Sequence, residues 1–403
     1  MVALGALHAV ADDVTAVPLL DAEIPVDSLQ AHNQANTLDS IATAPADTVA
    51  KPVKRNFVQK IIAYFNDTNK EKLDKPVDFS IIGGPYYSSD TKFGLGIIGA
   101  AQYRTDRADL TLPHSDAALY GNFSTAGFVS LGIVGHHIFP RERYRLNYRF
   151  GFYYEPAYFW GIGYDKCDND ANKTQLKRIR LDLEAHFLFR LGHNFYAGPF
   201  IDWDYVNGKA IDDMTLLEGQ KLKGHNLGLG GTISYDSRDV VTNAHRGIYV
   251  KLTQSFHPRF LGNGDYNFST TAFEFDTYHR VWKGGVVAGQ ILGEFNFGTP
   301  PWSLMAFVGG SHSLRGYYEG RYRDKHKLEA QVELRQHVWR RNSVVFWVGL
   351  ASVFHNKETF KKVLPNFGFG YRWEFKKDMN IRLDVGFGKS KQWGVVFSIN
   401  EAF

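Results

Sequence analysis

The stretch Gly309-Gly310-Ser311-His312-Ser313-Leu314-Arg315-Gly316-Tyr317-Tyr318 carries the residues of this chain best suited to specific chemistry. Its glycines let the backbone double back at little steric cost, and an arginine turned inward on such a loop requires carboxylates to receive its planar, always-charged fork. Three other constellations invite a chemical reading and do not sustain it. His136 and His137 are adjacent, so on a strand they face opposite sides and cannot chelate one ion. Asp165-Lys166-Cys167-Asp168-Asn169-Asp170 imitates a calcium loop but sets Cys167 at a ligand position and lacks the later glycine and glutamate. Gly228-Leu229-Gly230-Gly231 lies in a period-two segment rather than opening a helix, which argues against a nucleotide loop. The sequence therefore leads us to expect no catalytic site, no metal and no cofactor.

Composition narrows the class. With 39 glycines and 15% aromatic residues, the 403 residues fit one extended β-architecture at least as well as two or three soluble domains. A net charge of +4 from 46 basic and 42 acidic residues is too balanced for a nucleic-acid footprint, so no nucleic-acid partner is expected. Cys167 is the single cysteine, which excludes an internal disulfide. No run approaches the roughly 18 apolar residues of a spanning helix, a test that a spanning barrel does not register on.

The elements emerge from the periodicity. Residues 1–50 read as a flexible N-terminal tether, and 1–11, ending in Ala9-Val10-Ala11, as a remnant of a signal peptide or an ordinary N-terminus. Residues 51–76 read as a basic amphipathic helix and linker, with Phe57, Val58, Ile61, Ile62 and Phe65 at helical spacing. That helix is expected either to pack on the base of a barrel formed by the rest of the chain or to lie on a membrane surface. From Val77 to Phe403 the period is two. Between Ile179 and Leu191 odd positions are apolar and even ones almost all polar, and the same split recurs at Leu328–Arg335, Phe367–Glu374 and Ile381–Gly388. Sixteen strands are expected, starting near 77, 91, 116, 126, 143, 173, 194, 224, 246, 264, 285, 325, 343, 363, 378 and 392. Tight turns such as Gly192-His193 and Lys283-Gly284 alternate with long connections at 154–172, 206–223 and 298–324. That rhythm predicts an all-β, 16-stranded antiparallel transmembrane β-barrel at 77–403 with an inward-folded long loop, both chain ends returning to the periplasmic side of a Gram-negative outer membrane. In the last strand Trp393, Val395, Phe397, Ile399 and Phe403 share one parity, expected to face lipid.

Several motifs, in order, resemble the BamA/TamA-type outer-membrane assembly factors of the bacterial surface antigen superfamily. Ser313-Leu314-Arg315-Gly316-Tyr317 is similar to that family's hydrophobic-Arg-Gly-aromatic loop motif. Pro85–Gly96 is similar to its first hairpin, Ser234–Asp239 followed by Arg246-Gly247 to its mid-barrel turn, and Arg382–Val385 to the segment before its final strand. The strand ending in Phe403 resembles the C-terminal signal by which outer-membrane proteins reach their assembly machinery. The resemblance covers about 77–403 and departs twice. The family's POTRA domains, each on the order of 75 residues, find no place in the first 76 residues, so the chain resembles a POTRA-less member. The aspartate often presented by the family's thirteenth strand is missing, Val344–Val353 offering Gly349 and Ser352.

The resemblance implies a membrane-embedded, non-enzymatic role in inserting, assembling or exporting outer-membrane proteins. The implied partners are outer-membrane lipids and lipopolysaccharide, client outer-membrane proteins, and accessory periplasmic or outer-membrane subunits. The loop bearing Arg315 is expected to fold into the lumen and fork onto carboxylates among Glu329, Glu333, Glu374 and Asp384, each charge-assisted bond worth roughly 1.5–3 kcal/mol; the alternative leaves Arg315 at the outer surface on lipopolysaccharide phosphates. Gly83, Gly84 and Pro85 in the first strand are expected to weaken its pairing with the last, giving a lateral seam that admits client strands by β-augmentation, or else merely to fit a bend. A serine–histidine hydrolase would need its pair on the lipid face, whereas His186 and Ser234 fall on the inward parity. The competing class is a passive or substrate-selective porin, whose lumen Arg178, Arg180, Asp182, Glu184 and Arg190 would line.

Overall fold

The computed structural model describes residues 77–403 apart from 89, 107, 110, 111, 113, 377 and 378. The expected tether, signal remnant and basic helix, and with them the question of POTRA domains, lie outside the described residues.

The chain forms β1 (Val77–Ser88), β2 (Lys92–Tyr103), β3 (Ser115–Ser124), β4 (Val129–Ile138), β5 (Tyr144–Phe159) and β6 (Thr174–Gly192). Next come β7 (Phe195–Ile211), β8 (Lys223–Asp236), β9 (Gly247–His257), β10 (Asn267–Trp282) and β11 (Gly285–Thr299). Two short strands, β12 (Ala306–Phe307) and β13 (Arg323–Asp324), precede β14 (His326–Trp339), β15 (Asn342–Phe354), β16 (Leu364–Lys376), β17 (Met379–Gly388) and β18 (Trp393–Ile399). All but β12 and β13 join in chain order into one closed barrel of sixteen antiparallel strands, β18 returning to β1. Closure leaves no sheet edge in lipid, where an unpaired backbone group is costly. The expected starts agree, the largest offsets being at β4, expected near 126 and found at Val129, and β10, expected near 264 and found at Asn267.

Burial decides between barrel and sandwich. Large apolar side chains on one parity stand exposed, Leu119 at 66% and Val348 at 63%, while Glu333, Arg382 and Asp384 on the other are fully buried. A water-soluble sandwich would have the opposite arrangement; here the oily face is outside and the charged face lines the bore. β15 is apolar on both faces, Phe346, Val348 and Leu350 outward and Val345, Trp347 and Val353 inward, and the folded loop packs against the inner side at Trp347, Ala351 and Val353.

Long connections crowd one rim and tight turns the other, with exceptions. The segment Ser237–Arg246, on the tight-turn rim, is a longer turn held by Asp239, whose carboxylate accepts from the backbone N–H groups of Val240, His245 and Arg246. On the long-loop rim the connections form a roof with its own apolar packing: Trp160, Tyr164, Cys167, Val308, Leu314, Tyr317 and Tyr322 make one cluster, and Phe159, Leu216, Leu217, Trp302 and Met305 another. Beneath it two cavities of about 390 and 400 Å³, whose linings include Arg149, Glu184 and Lys251, remain in the bore.

Candidate functional site: the arginine loop, its anchors and the seam

The loop between β11 and β14 is closed at its stem by the pairing of β12 with β13, Ala306 opposite Asp324 and Phe307 opposite Arg323. Beyond that stem the backbone turns through left-handed conformations at Gly309 (φ 95°), Gly310 (φ 119°), Leu314 (φ 44°) and Gly316 (φ 110°), and the Tyr317 N–H closes a turn on the Leu314 carbonyl at 3.1 Å. Gly316 lies directly against Gly386 of β17: a Cβ on Gly386 would stand 1.9 Å from the Arg315 carbonyl oxygen. The loop reaches the wall only because both positions lack side chains.

This approach sets Arg315 at the wall with no exposed surface. Its Nη1 donates to Asp384 Oδ2 at 2.8 Å, its Nη2 to Glu333 Oε1 and to Gln331 Oε1 at 3.3 Å, and its guanidinium lies 3.7 Å from the centre of the Trp347 ring. Each anchor is itself held. Arg372 bridges Asp384 and Glu401, its Nε donating to Glu401 Oε2 at 2.8 Å, and Arg335 Nε donates to Glu333 Oε2 at 3.0 Å. Against the penalty of its burial, Arg372 and Arg335 hold the Glu401 carboxyl down to about 2. The backbone is fixed as well: Asn366 Nδ2 donates to the Arg315 carbonyl at 2.6 Å, and the Tyr317 hydroxyl donates to the Pro365 carbonyl and accepts from the Lys389 N–H, both at 2.7 Å. Leu314 is buried beside Tyr317, and Ser313 is buried with them.

Of the four expected carboxylates the structure brings two to Arg315. Glu329 is a correction: it lies inward on β14 but takes Lys327 Nζ at 3.1 Å, because a step from Glu333 to Glu329 moves about 13 Å along a strand, beyond one guanidinium's span. Glu374 is a second correction. It stands opposite Asn380 where Asp384 stands opposite Gly370, about 13 Å down the ladder toward the tight-turn rim. Arg315 is buried, its guanidinium on Asp384 and Glu333 rather than at the outer surface. Gln331, Arg335, Arg372 and Trp347 were missed; the first three lie on the polar, inward parity that the alternation already marked, whereas Trp347 sits on β15, whose two apolar faces gave no signal.

The seam between β1 and β18 has, among the described residues, one registered pair, Ser88 opposite Val396, where β1 and β2 run in step from Val77–Tyr103 to Ser88–Lys92. Gly83, Gly84 and Pro85 oppose Ile97, Gly96 and Leu95 of β2 with no bulge. The loop touches both sides of this seam. The Glu319 N–H donates to Asp90 Oδ2 at 2.9 Å in the β1–β2 turn, Tyr317 meets Lys389 beyond β17, and His312 Nδ1 donates to the Ala402 carbonyl at 2.8 Å. Burial pushes the Asp90 carboxyl up to about 7, against the Glu319 N–H bond and with the Glu319 carboxylate adding to the rise.

In β18, Trp393 is exposed and Val395 and Phe397 are half-exposed on the parity opposite buried Gly394, Val396 and Ser398; Ile399 closes the strand. Phe403 is a correction. After β18 the backbone breaks at Asn400 (φ 64°) and turns into the bore, so Phe403 packs 6.2 Å from the Tyr278 ring under the Arg335 guanidinium instead of facing lipid. Parity extrapolates only while the strand continues. Elsewhere His136 bonds Asp116 at 3.1 Å and His137 bonds Tyr103 at 2.8 Å on opposite faces. The calcium-like segment gives Asp165 to Lys362, Asp168 to Lys389 and Tyr322, and Asp170 to Arg321. His186 and Ser234 are both buried in the bore.

The sequence profile described as the Omp85 superfamily domain matches residues 136–392. No curated protein sequence matches the chain. Among solved structures, BamA from Haemophilus ducreyi lacking POTRA domains 1–3 is similar at a TM-score of 0.56 and 12% identity, over 80% of this chain and 70% of that one. CdiB from Acinetobacter baumannii is similar at 0.52 and 11%, over 81% of this chain and 60% of that one. CdiB from Escherichia coli is similar at 0.52 and 10%, over 85% and 70%. At these identities the likeness is one of fold.

Proposed function

The chain belongs to the Omp85 superfamily of outer-membrane β-barrels, and on that premise we propose that it assists the insertion, assembly or export of outer-membrane proteins through a lateral seam between β1 and β18, with the Arg315 loop stoppering the bore. The role is non-enzymatic. Its partners are client outer-membrane proteins, the surrounding lipid and lipopolysaccharide, and accessory periplasmic or outer-membrane subunits that deliver clients.

The observation that carries this reading is the seam's ladder, whose registered pair among the described residues is Ser88–Val396. A short ladder separates at less cost than a long one, and the strands it frees expose backbone groups that template an incoming strand. The apolar roof and the buried arginine loop favour a stoppered bore over a passive porin, which needs an aqueous path from rim to rim. In planar bilayers the porin reading requires large steady conductance, and the stoppered barrel small, brief openings.

The test is a disulfide across the seam, Ser88→Cys with Val396→Cys, whose registered positions suit the geometry of the bond. Cells dependent on this variant are expected to keep normal levels of outer-membrane proteins when the bond is reduced and to lose them when it is oxidised. Normal levels with the bond quantitatively formed would sink the lateral-seam reading.

A further inference from the structure

At the tight-turn rim, below the Arg315 network, lies a separate cavity of about 270 Å³ that neither the loop nor the seam explains. Its charged lining is Arg280, Arg335, Arg341, Arg372, Glu374 and Glu401. The register shows how it is built. Arg280 of β10 and Arg335 of β14 both stand opposite Val286 of β11, one on each side, so two guanidiniums flank an apolar floor that the next strand extends with Val345, opposite Arg335. Two strand spacings separate the two arginine backbones by about 10 Å, and both residues line the cavity. Arg341, in the β14–β15 turn, supplies a third cation, and Asn243 and His245 of the Ser237–Arg246 turn close the cavity from the side.

The lining is not charge-balanced. Arg372 is satisfied by Asp384 and Glu401, and Glu401 is further engaged by Asn380 at 2.7 Å. Arg280 and Arg341 form no ion pair among the described residues, and Glu374, at the rim, is the one further carboxylate of the lining. Arg335 is more than nine-tenths buried, yet its Nη1 has no hydrogen-bond partner while its Nε and Nη2 are taken by Glu333 and by the Phe403 carbonyl at 2.6 Å. A buried guanidinium nitrogen without an acceptor is costly, and three arginines lining one cavity beside Val286 and Val345 suit a tetrahedral anion with several oxygens better than a two-oxygen carboxylate.

We propose that this cavity is a binding site for a phosphate-type oxyanion, held by Arg280, Arg335 and Arg341 over the Val286–Val345 floor. The anion is either free phosphate or the phosphate of a lipid headgroup; the recognition chemistry is the same. Because Arg335 also holds Glu333, and Glu333 holds Arg315, the bound anion lies one guanidinium away from an anchor of the loop.

The site is tested on the full chain in neutral detergent by following thermal unfolding during titration with inorganic phosphate, ionic strength being kept constant with chloride. The wild type is expected to show a saturable rise in midpoint. The double variant Arg280→Gln/Arg341→Gln, whose positions are exposed and outside the loop's anchoring network, is expected to bind at least about tenfold more weakly, the loss of charge-assisted bonds. A Lys357→Gln control, on the opposite rim, is expected to behave as wild type. A second arm reconstitutes the same proteins in phosphatidylcholine vesicles with and without phosphatidic acid. Stabilisation by phosphatidic acid but not by free phosphate, lost in the double variant, assigns the site to a headgroup. No saturable effect in either arm, or an effect unchanged in the double variant, overturns the proposal. The readout is independent of client assembly, so its failure leaves the seam reading untouched, and the reverse holds.

Discussion

Replacing Arg315 with alanine removes the side chain that, among the described residues, ties the loop to β14 and β17 at once. Breaking one side of a fully buried ion pair costs about 3–5 kcal/mol because the remaining charges are left without their counter-ion. Here that stranding is partial, since Asp384 keeps Arg372 and Glu333 keeps Arg335. The lower end, about 3 kcal/mol, is therefore expected, which raises the population of released loop about a hundredfold. Arg321 and Arg323, both buried in the loop's return limb, report that release, because trypsin reaches them only in the open form and cleavage then tracks its population. Arg315→Ala should be cut after these residues about a hundredfold faster than wild type. Arg315→Lys, which keeps the charge but loses the fork shared between Asp384 and Glu333, should fall between the two. Cleavage of the alanine variant within about twofold of wild type would refute the anchoring argument.

The same contacts make two further outcomes testable. Gly386→Ala should release the loop with every charge intact, because its Cβ would fall 1.9 Å from the Arg315 carbonyl; tryptic cleavage as fast as in Arg315→Ala is expected, and wild-type rates would show that the wall can yield. The folded protein should lose stability at the β1–β2 turn as pH rises, because burial of the Asp90 charge, with the Glu319 carboxylate nearby, outweighs the Glu319 N–H bond that favours it. The Asp90 carboxyl sits at about 7 in the folded protein against 3.8 in the open chain, so the folded form holds the proton more tightly, and the stability this gives is lost progressively between those values. Wild-type protein is therefore expected to show a falling unfolding midpoint from pH 4 to 7 that flattens in Asp90→Asn; an identical slope in both would dismiss Asp90 as the titrating group.

In the sequence the alternation of short and long connections pointed to the barrel, while β15, apolar on both faces, carried no signal of which face meets lipid. The sequence by itself determined the strand count and, on the strands whose two faces differ in polarity, which face is apolar, because a period of two is a local property. Arg315 was legible for the same reason: glycines on both sides of a lone arginine mark a loop that must approach something closely, and the motif resemblance named the kind of loop. The sequence could not choose among Glu329, Glu333, Glu374 and Asp384, since all four have the inward parity and only the register between neighbouring strands sets their height in the bore. That register put Glu333 and Asp384 at the level where the loop bottoms against Gly386, and left Glu329 and Glu374 each about 13 Å along their strands. The tertiary structure alone also decided Phe403 and Glu401. Once the backbone leaves β18 at Asn400 the alternation stops carrying information, and the tail's position is fixed by the Arg335 and Arg372 guanidiniums, which β14 and β16 bring near each other by pairing with β15 between them.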